Sequence, residues 1–123
     1  MLKKHLQDIK IAQKESLILR ELSKYFHQIV LDDPELAGMF ISKVKLSADK
    51  SICTVFFSVQ GGQEQFENKR ERLVLYKPSL RRALSQNLAL RRTPQLVFKY
   101  DRQFEKQQRI EELLDKVKLE EEP

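Results

Sequence analysis

Eight basic side chains crowd the 24 positions from Lys69 to Arg92: Lys69, Arg70, Arg72, Lys77, Arg81, Arg82, Arg91 and Arg92. One acid, Glu71, accompanies them, so the stretch carries net +7 and exceeds the +5 of the whole chain. Charge of one sign at that density captures anions, and its chemistry is electrostatic binding. A charged helix face can also be plain solvation, and Arg70 or Arg72 can pair along the surface with Glu67 or Glu71. Arg81-Arg82 and Arg91-Arg92 have no acid within four positions, so phosphate is the partner expected of them.

Bond-making chemistry finds less to draw on. His5 lies near the N-terminus, His27 on a helix and Cys53 in an apolar strand, a scatter without metal-ligand spacing or the look of a triad. Asp32-Asp33 precedes Pro34, where adjacent acids form turns more readily than they serve as acid and base. Neither GxxxxGK nor GxGxxG occurs, and only three glycines are present. These observations imply no catalytic residue, metal, nucleotide or other cofactor, and no small-molecule substrate. The chain reads as a binding protein and not an enzyme.

The elements that must position the basic residues follow from periodicity. From Pro78 onward Leu80, Ala83, Leu84 and Leu88 fall on one helical stripe, with Arg81, Arg82, Ser85, Gln86 and Ala89 turned away. Pro78 breaks this helix from the preceding run Leu73 to Tyr76, yet suits the first turn of a new one, so two helices meet at a kink. Thr93-Pro94 ends the second helix after Arg91 and Arg92. Leu96, Phe98 and Tyr100 then alternate with Val97 and Lys99 as a half-buried strand.

Upstream, Ile18, Leu22, Tyr25, Phe26 and Ile29 keep helical spacing over about Ile9 to Val30, and Asp33-Pro34 ends that helix. Met39 to Leu46 reads as a strand with Phe40, Ser42, Val44 and Leu46 on one face and Ile41, Lys43 and Lys45 on the other. Ser47 to Lys50 reverses the chain into a second strand, Ser51 to Val59, and makes an antiparallel hairpin. Gly61-Gly62 breaks it. Gln63 to Tyr76 reads as a helix with Phe66, Leu73 and Val74 inward. A last helix, Gln103 to Leu119, has Ile110, Leu113, Leu114 and Val117 in register, and Glu120 to Pro123 should fray. The sum is an α+β arrangement in which a three-stranded sheet, covered on one face by helices, would satisfy every apolar stripe.

Asp33-Pro34-Glu35-Leu36, the segment Val44-Lys45-Leu46-Ser47-Ala48-Asp49, Leu80-Arg81-Arg82-Ala83-Leu84, and the run Leu88 to Asp101 containing Arg91-Arg92-Thr93-Pro94 and Phe98-Lys99-Tyr100-Asp101 carry a resemblance to the bacterial family of ribosome-binding factor A. Order and spacing match from about Lys10 to Val117. The resemblance implies a KH-like fold of type II with a kinked helix pair in place of a GXXG loop. It also implies a cytoplasmic factor that binds the immature small (30S) ribosomal subunit, supports late 16S rRNA maturation including 5′-end processing, and matters most in the cold. The family marks its kink with small residues, alanine and then glycine two positions later. Here those positions are Tyr76 and Pro78. Pro78 bends the chain by itself, and the Tyr76 ring is expected to close the core below the bend.

At 123 residues one domain is expected, 1–119, followed by a short acidic tail, 120–123. No stretch approaches the ~18 apolar residues of a membrane span. The expected RNA-contacting residues are Lys69, Arg70, Lys77, Arg81, Arg82, Arg91 and Arg92, with Lys43 and Lys45 from the hairpin. The expected partner is the small subunit and its rRNA, met as a monomer; the alternative is a resident ribosomal protein or a general single-stranded RNA-binding KH-like module.

Overall fold

The computed structural model describes residues 2–121. Helix α1 (Leu2–Asp32) is followed by a single 3-10 turn (Pro34–Leu36), strands β1 (Met39–Leu46) and β2 (Ile52–Val59), helices α2 (Gly62–Val74) and α3 (Lys77–Asn87), strand β3 (Gln95–Tyr100) and helix α4 (Arg102–Glu121). The sheet order is β1-β2-β3. β1 and β2 pair antiparallel as the hairpin predicts, whereas β2 and β3 run parallel. A parallel pair needs a crossover, and α2 with α3 supplies it. The predicted order of elements stands.

α1 buries Ile18, Leu22, Phe26 and Ile29 against β1 and α3. Tyr25, expected on this stripe, is exposed on its flank. The helix starts at Leu2, earlier than the apolar spacing indicates, because residues 2–8 contain no glycine or proline and favour helix without needing a core. His5 therefore sits within α1. The chain leaves the helix at Asp33, whose carboxylate accepts the Glu35 N–H at 3.2 Å.

β1 corrects the predicted faces. Met39, Ile41, Val44 and Leu46 are buried and Phe40 is exposed, because the register to β2 slips between Ile41 and Lys43. This bulge adds a residue and swaps the alternation upstream of it. Ser42 anchors it with its single hydroxyl proton, shared between the buried Asp101 carboxylate at 2.5 Å and the Phe56 carbonyl at 3.2 Å. Asp101 also accepts the Phe104 N–H at 3.0 Å, so one carboxylate fixes the bulge and caps α4. Past β2, Gly61 and Gly62 take φ of 97° and 78°, and a Cβ on Gly61 would run into the Gln65 side chain.

The core closes around Phe57 on the central strand. Its ring lies 5.2 Å from Phe26, 6.2 Å from Phe66 and 5.0 Å from Phe98, centroid to centroid. Cys53 is fully buried nearby, and burial, then the charge of Glu15, pushes its thiol up to about 12. It is the small core residue expected.

Three helical expectations need correction. α2 stops at Val74, and Val74 is exposed while Phe66 and Leu73 are buried. α3 stops at Asn87 and does not reach Arg92, since Leu88 turns extended (φ −119°, ψ 138°). Leu88 and Leu90 then pack against the core from a loop, so helical spacing at Leu88 was met by a non-helical segment. α4 continues through Glu120 and Glu121, and Ile110, Leu113, Leu114 and Val117 remain 49–63% exposed. The helices that cover the sheet face are α1, α2 and α3. α4 leaves the end of β3, with Phe104 set edge-on against Phe40 at 5.4 Å. Glu122 and Pro123, part of the expected tail, lie outside the described residues.

Candidate nucleic-acid interface

The kink that presents the basic helix is held from a distance. Arg72 Nε and the Tyr76 hydroxyl each donate to Asp33 Oδ2 at 2.6 Å, and Arg72 also pairs with Glu35 at 3.3 Å. Arg72 thus crosses to the turn after α1, whereas Arg70 makes the surface pair with Glu67 at 3.5 Å. Tyr76 packs against the core as expected and in addition ties the end of α2 to Asp33. Arg72 first, and Tyr76 second, hold the Asp33 carboxyl below its ordinary value, against the opposing effect of burial.

That shift has a direction in pH. Because the folded value lies below the unfolded one, near roughly 4, Asp33 contributes fully above that pH and its contribution is lost as pH falls through the folded value. Tyr76 is raised, first by its hydrogen bond to Asp33, so its share persists to about pH 10 and is lost as pH rises beyond. Wild-type protein is therefore expected to lose more thermal stability than Asp33→Asn between about pH 4 and pH 2. Parallel acid limbs in melting curves would take Asp33 out of the network.

The structure does not gather the nine predicted cations into one patch. Lys77, Arg81 and Arg82 line a groove of about 470 Å³ between α3 and the start of β3, together with Pro78, Ser85 and Thr93. No described carboxylate lines it. Arg81 is partly buried: its guanidinium donates to the carbonyls of Thr93 at 3.0 Å and Pro94 at 3.2 Å. Lys77 lies over the Phe98 ring at 5.0 Å, and Arg82 is exposed. Arg91 and Arg92, on the α3–β3 loop, line a separate cleft.

Lys43 and Lys45 do project from β1 on the face away from the core, joined there by Lys99 of β3. Lys43 is largely engaged, donating to Gln103 at 2.6 Å, 3.9 Å from Asp101 and over the Phe56 ring at 4.8 Å. A wide groove of about 840 Å³ includes Lys43, Lys45, Arg70 and Lys99, but Glu15, Glu67 and Asp101 share its walls and weaken its positive field. Lys69 is half-buried on α2. Sequence reasoning missed Lys14 and Lys50, which stand with Arg91 and Arg92 in the second cleft. The signal was thin, since each is a single lysine among acids and hydroxyls. Among the described residues no three His, Cys, Asp or Glu side chains converge as a metal site would require.

Helix, antiparallel hairpin, kinked helix pair and a parallel third strand define a KH-like α+β fold in which no glycine loop joins the paired helices. The family model described as Ribosome-binding factor A matches residues 10–114, and the chain belongs to that family. It is 33% identical over 110 residues to the ribosome-binding factor A of Rippkaea orientalis, covering 89% of this chain and 86% of that one. To that of Microcystis aeruginosa it is 35% identical over 120 residues, covering 94% and 91%. The crystal structure of ribosome-binding factor A from Thermus thermophilus superposes with a TM-score of 0.63 at 27% identity, over 73% of this chain and 94% of that one. A homology model of Thermus thermophilus ribosome-binding factor A, fitted into the cryo-EM map of its complex with 30S, superposes with a TM-score of 0.58 at 26% identity, covering 71% and 90%.

Proposed function

We propose that this protein is a cytoplasmic assembly factor that binds the immature small ribosomal subunit through rRNA phosphates and supports late 16S rRNA maturation, including processing of the 5′ end. It stabilises one RNA conformation by binding and performs no bond-making step itself. The observation that carries this reading is the acid-free groove of Lys77, Arg81 and Arg82 beside the kink, in a chain of the ribosome-binding factor A family. Its relative seated in the 30S map makes the small subunit the natural partner. The kink takes over from a GXXG clamp: α3 begins at Lys77 with Pro78 in its first turn, and Asp33 fixes the bend from behind. Phosphate contacts then position the protein without reading base sequence.

Binding to purified small subunits should be strongly electrostatic. Four phosphate contacts, from Lys77, Arg82, Arg91 and Arg92, correspond to a slope of about −3 in log affinity against log salt, or about 60-fold between ~50 and ~200 mM. A flat response would remove the phosphate account. In lysate, the tagged protein should sediment with free small subunits and be absent from polysomes. Co-sedimentation with polysomes would make it a resident of the ribosome.

A further inference from the structure

The cleft that holds Arg91 and Arg92 is walled by three separate parts of the fold. α1 brings Lys14, the β1–β2 turn brings Lys50 and Ser51, and the α3–β3 loop brings the two arginines, around a volume of about 490 Å³. The turn and the loop are braced. Asp49, the one acid among the described residues of the wall, spends Oδ1 on the turn itself, accepting from Ser47 Oγ at 2.8 Å, Ser51 Oγ at 2.8 Å and Ser51 N–H at 3.1 Å. That turn holds Lys50 in the left-handed region, φ 63°, the one non-glycine residue with positive φ among the described residues. Such a conformation persists only where surroundings enforce it, and often where a side chain must be aimed. The arginine loop is gripped by Arg81 through Thr93 and Pro94, and its end is tied to the turn by Gln95 N–H donating to the Ser51 carbonyl at 2.9 Å.

No described carboxylate forms an ion pair with Lys14, Lys50, Arg91 or Arg92. Lys50 holds Lys14 below the ordinary lysine value, first through the contact between the two side chains and then through its charge, with burial and, last, the charge of Lys10 acting in the same direction. Lys14 and Lys50 repel one another in a cleft that Arg91 and Arg92 also line, and a bound anion would relieve that repulsion. The cleft also shares a wall with the α3 groove: along one loop Arg91, Arg92 and Pro94 line the cleft, while Thr93 and Gln95, alternating with them, line the groove. Two positive grooves on either side of one loop suit a chain of phosphates better than one small ion.

We infer that this cleft is a second phosphate seat for the RNA backbone, formed by Lys14 and Lys50 opposite Arg91 and Arg92, so that one strand crosses the α3–β3 loop between the two grooves. The inference rests on the RNA-binding reading above and adds Lys14 and Lys50 to it. Arg81 is then a positioning residue that sets the loop between the two seats.

The test compares the full-length protein with Lys14→Gln plus Lys50→Gln, using fluorescence anisotropy of a single-stranded RNA of about ten nucleotides across a salt series. Loss of two phosphate contacts should lower affinity at least ~10-fold and flatten the salt slope by about 1.4. Lys14→Arg with Lys50→Arg keeps the charge and should keep the affinity. A folded glutamine variant with unchanged affinity and slope would overturn the cleft assignment, as would loss of binding in the arginine variant. Inorganic phosphate as a competitor distinguishes the source: equal affinity for the ion and the oligonucleotide would overturn the RNA assignment. If the RNA effects appear but the wild type ignores purified small subunits, the cleft stands and the assembly reading falls.

Discussion

Arg82→Glu is expected to weaken binding to immature small subunits about 10-fold, equivalent to ~1.4 kcal/mol, while shifting the melting temperature by no more than a few degrees. Arg82 is exposed on α3 beside the acid-free groove, and its backbone belongs to a helix anchored by Leu80, Ala83 and Leu84. Reversing it replaces attraction to phosphate by repulsion and leaves the core untouched. Its neighbour should behave differently. Arg81 grips the Thr93 and Pro94 carbonyls, so Arg81→Glu should lower the melting temperature by roughly 5 °C as well as impair binding. Arg81→Lys should share part of that loss although its charge is kept, because an ammonium cannot reproduce the fork. Cells relying on Arg82→Glu should accumulate small-subunit rRNA precursor, most visibly in the cold. A folded Arg82→Glu protein with wild-type affinity and normal rRNA processing would exclude the α3 groove from the interface.

Phe57→Ala should be the most damaging single change to stability, about 3–5 kcal/mol. Phe57 is fully buried on the central strand and touches rings from α1, α2 and β3, so its removal opens a cavity where these three elements meet. Against a total stability of ~5–15 kcal/mol, that loss moves the melting temperature by roughly 10–20 °C or unfolds the protein outright. Phe57→Leu keeps most of the volume and should cost under about 1.5 kcal/mol. Urea unfolding of both variants measures the difference. A loss below ~1 kcal/mol for the alanine would show that the core does not close on this ring.

Patterns carried within a few residues were legible in the chain. Ile18, Leu22, Phe26 and Ile29 announced α1, the alternation at Leu96, Phe98 and Tyr100 announced β3, and Pro78 announced the break between α2 and α3. The candidate site was legible only as a charge density. Arg82, Arg91 and Arg92 are exposed as expected, but Arg81 turned inward, Lys43 is engaged with Gln103 and Asp101, and Lys14 and Lys50 went unnoticed. Charge counting along a chain cannot tell a cation that faces solvent from one that braces a loop thirteen residues away.

The sequence by itself determined the element order, the inward stripes of α1, α3 and β3, the kink and the excess of positive charge from Lys69 to Arg92, because periodicity, proline geometry and charge are local properties. Tertiary structure decided the rest. The bulge at Ser42 moved Phe40 out of the core because β1's faces depend on its register to β2 and on Asp101, 59 residues downstream. Arg72 left its helical neighbours for Asp33, 39 residues upstream, since a nearly buried carboxylate holds a guanidinium more firmly than an exposed one does. α4 kept its apolar stripe in solvent because periodicity records that a helix has an apolar face, and only packing decides whether anything covers it.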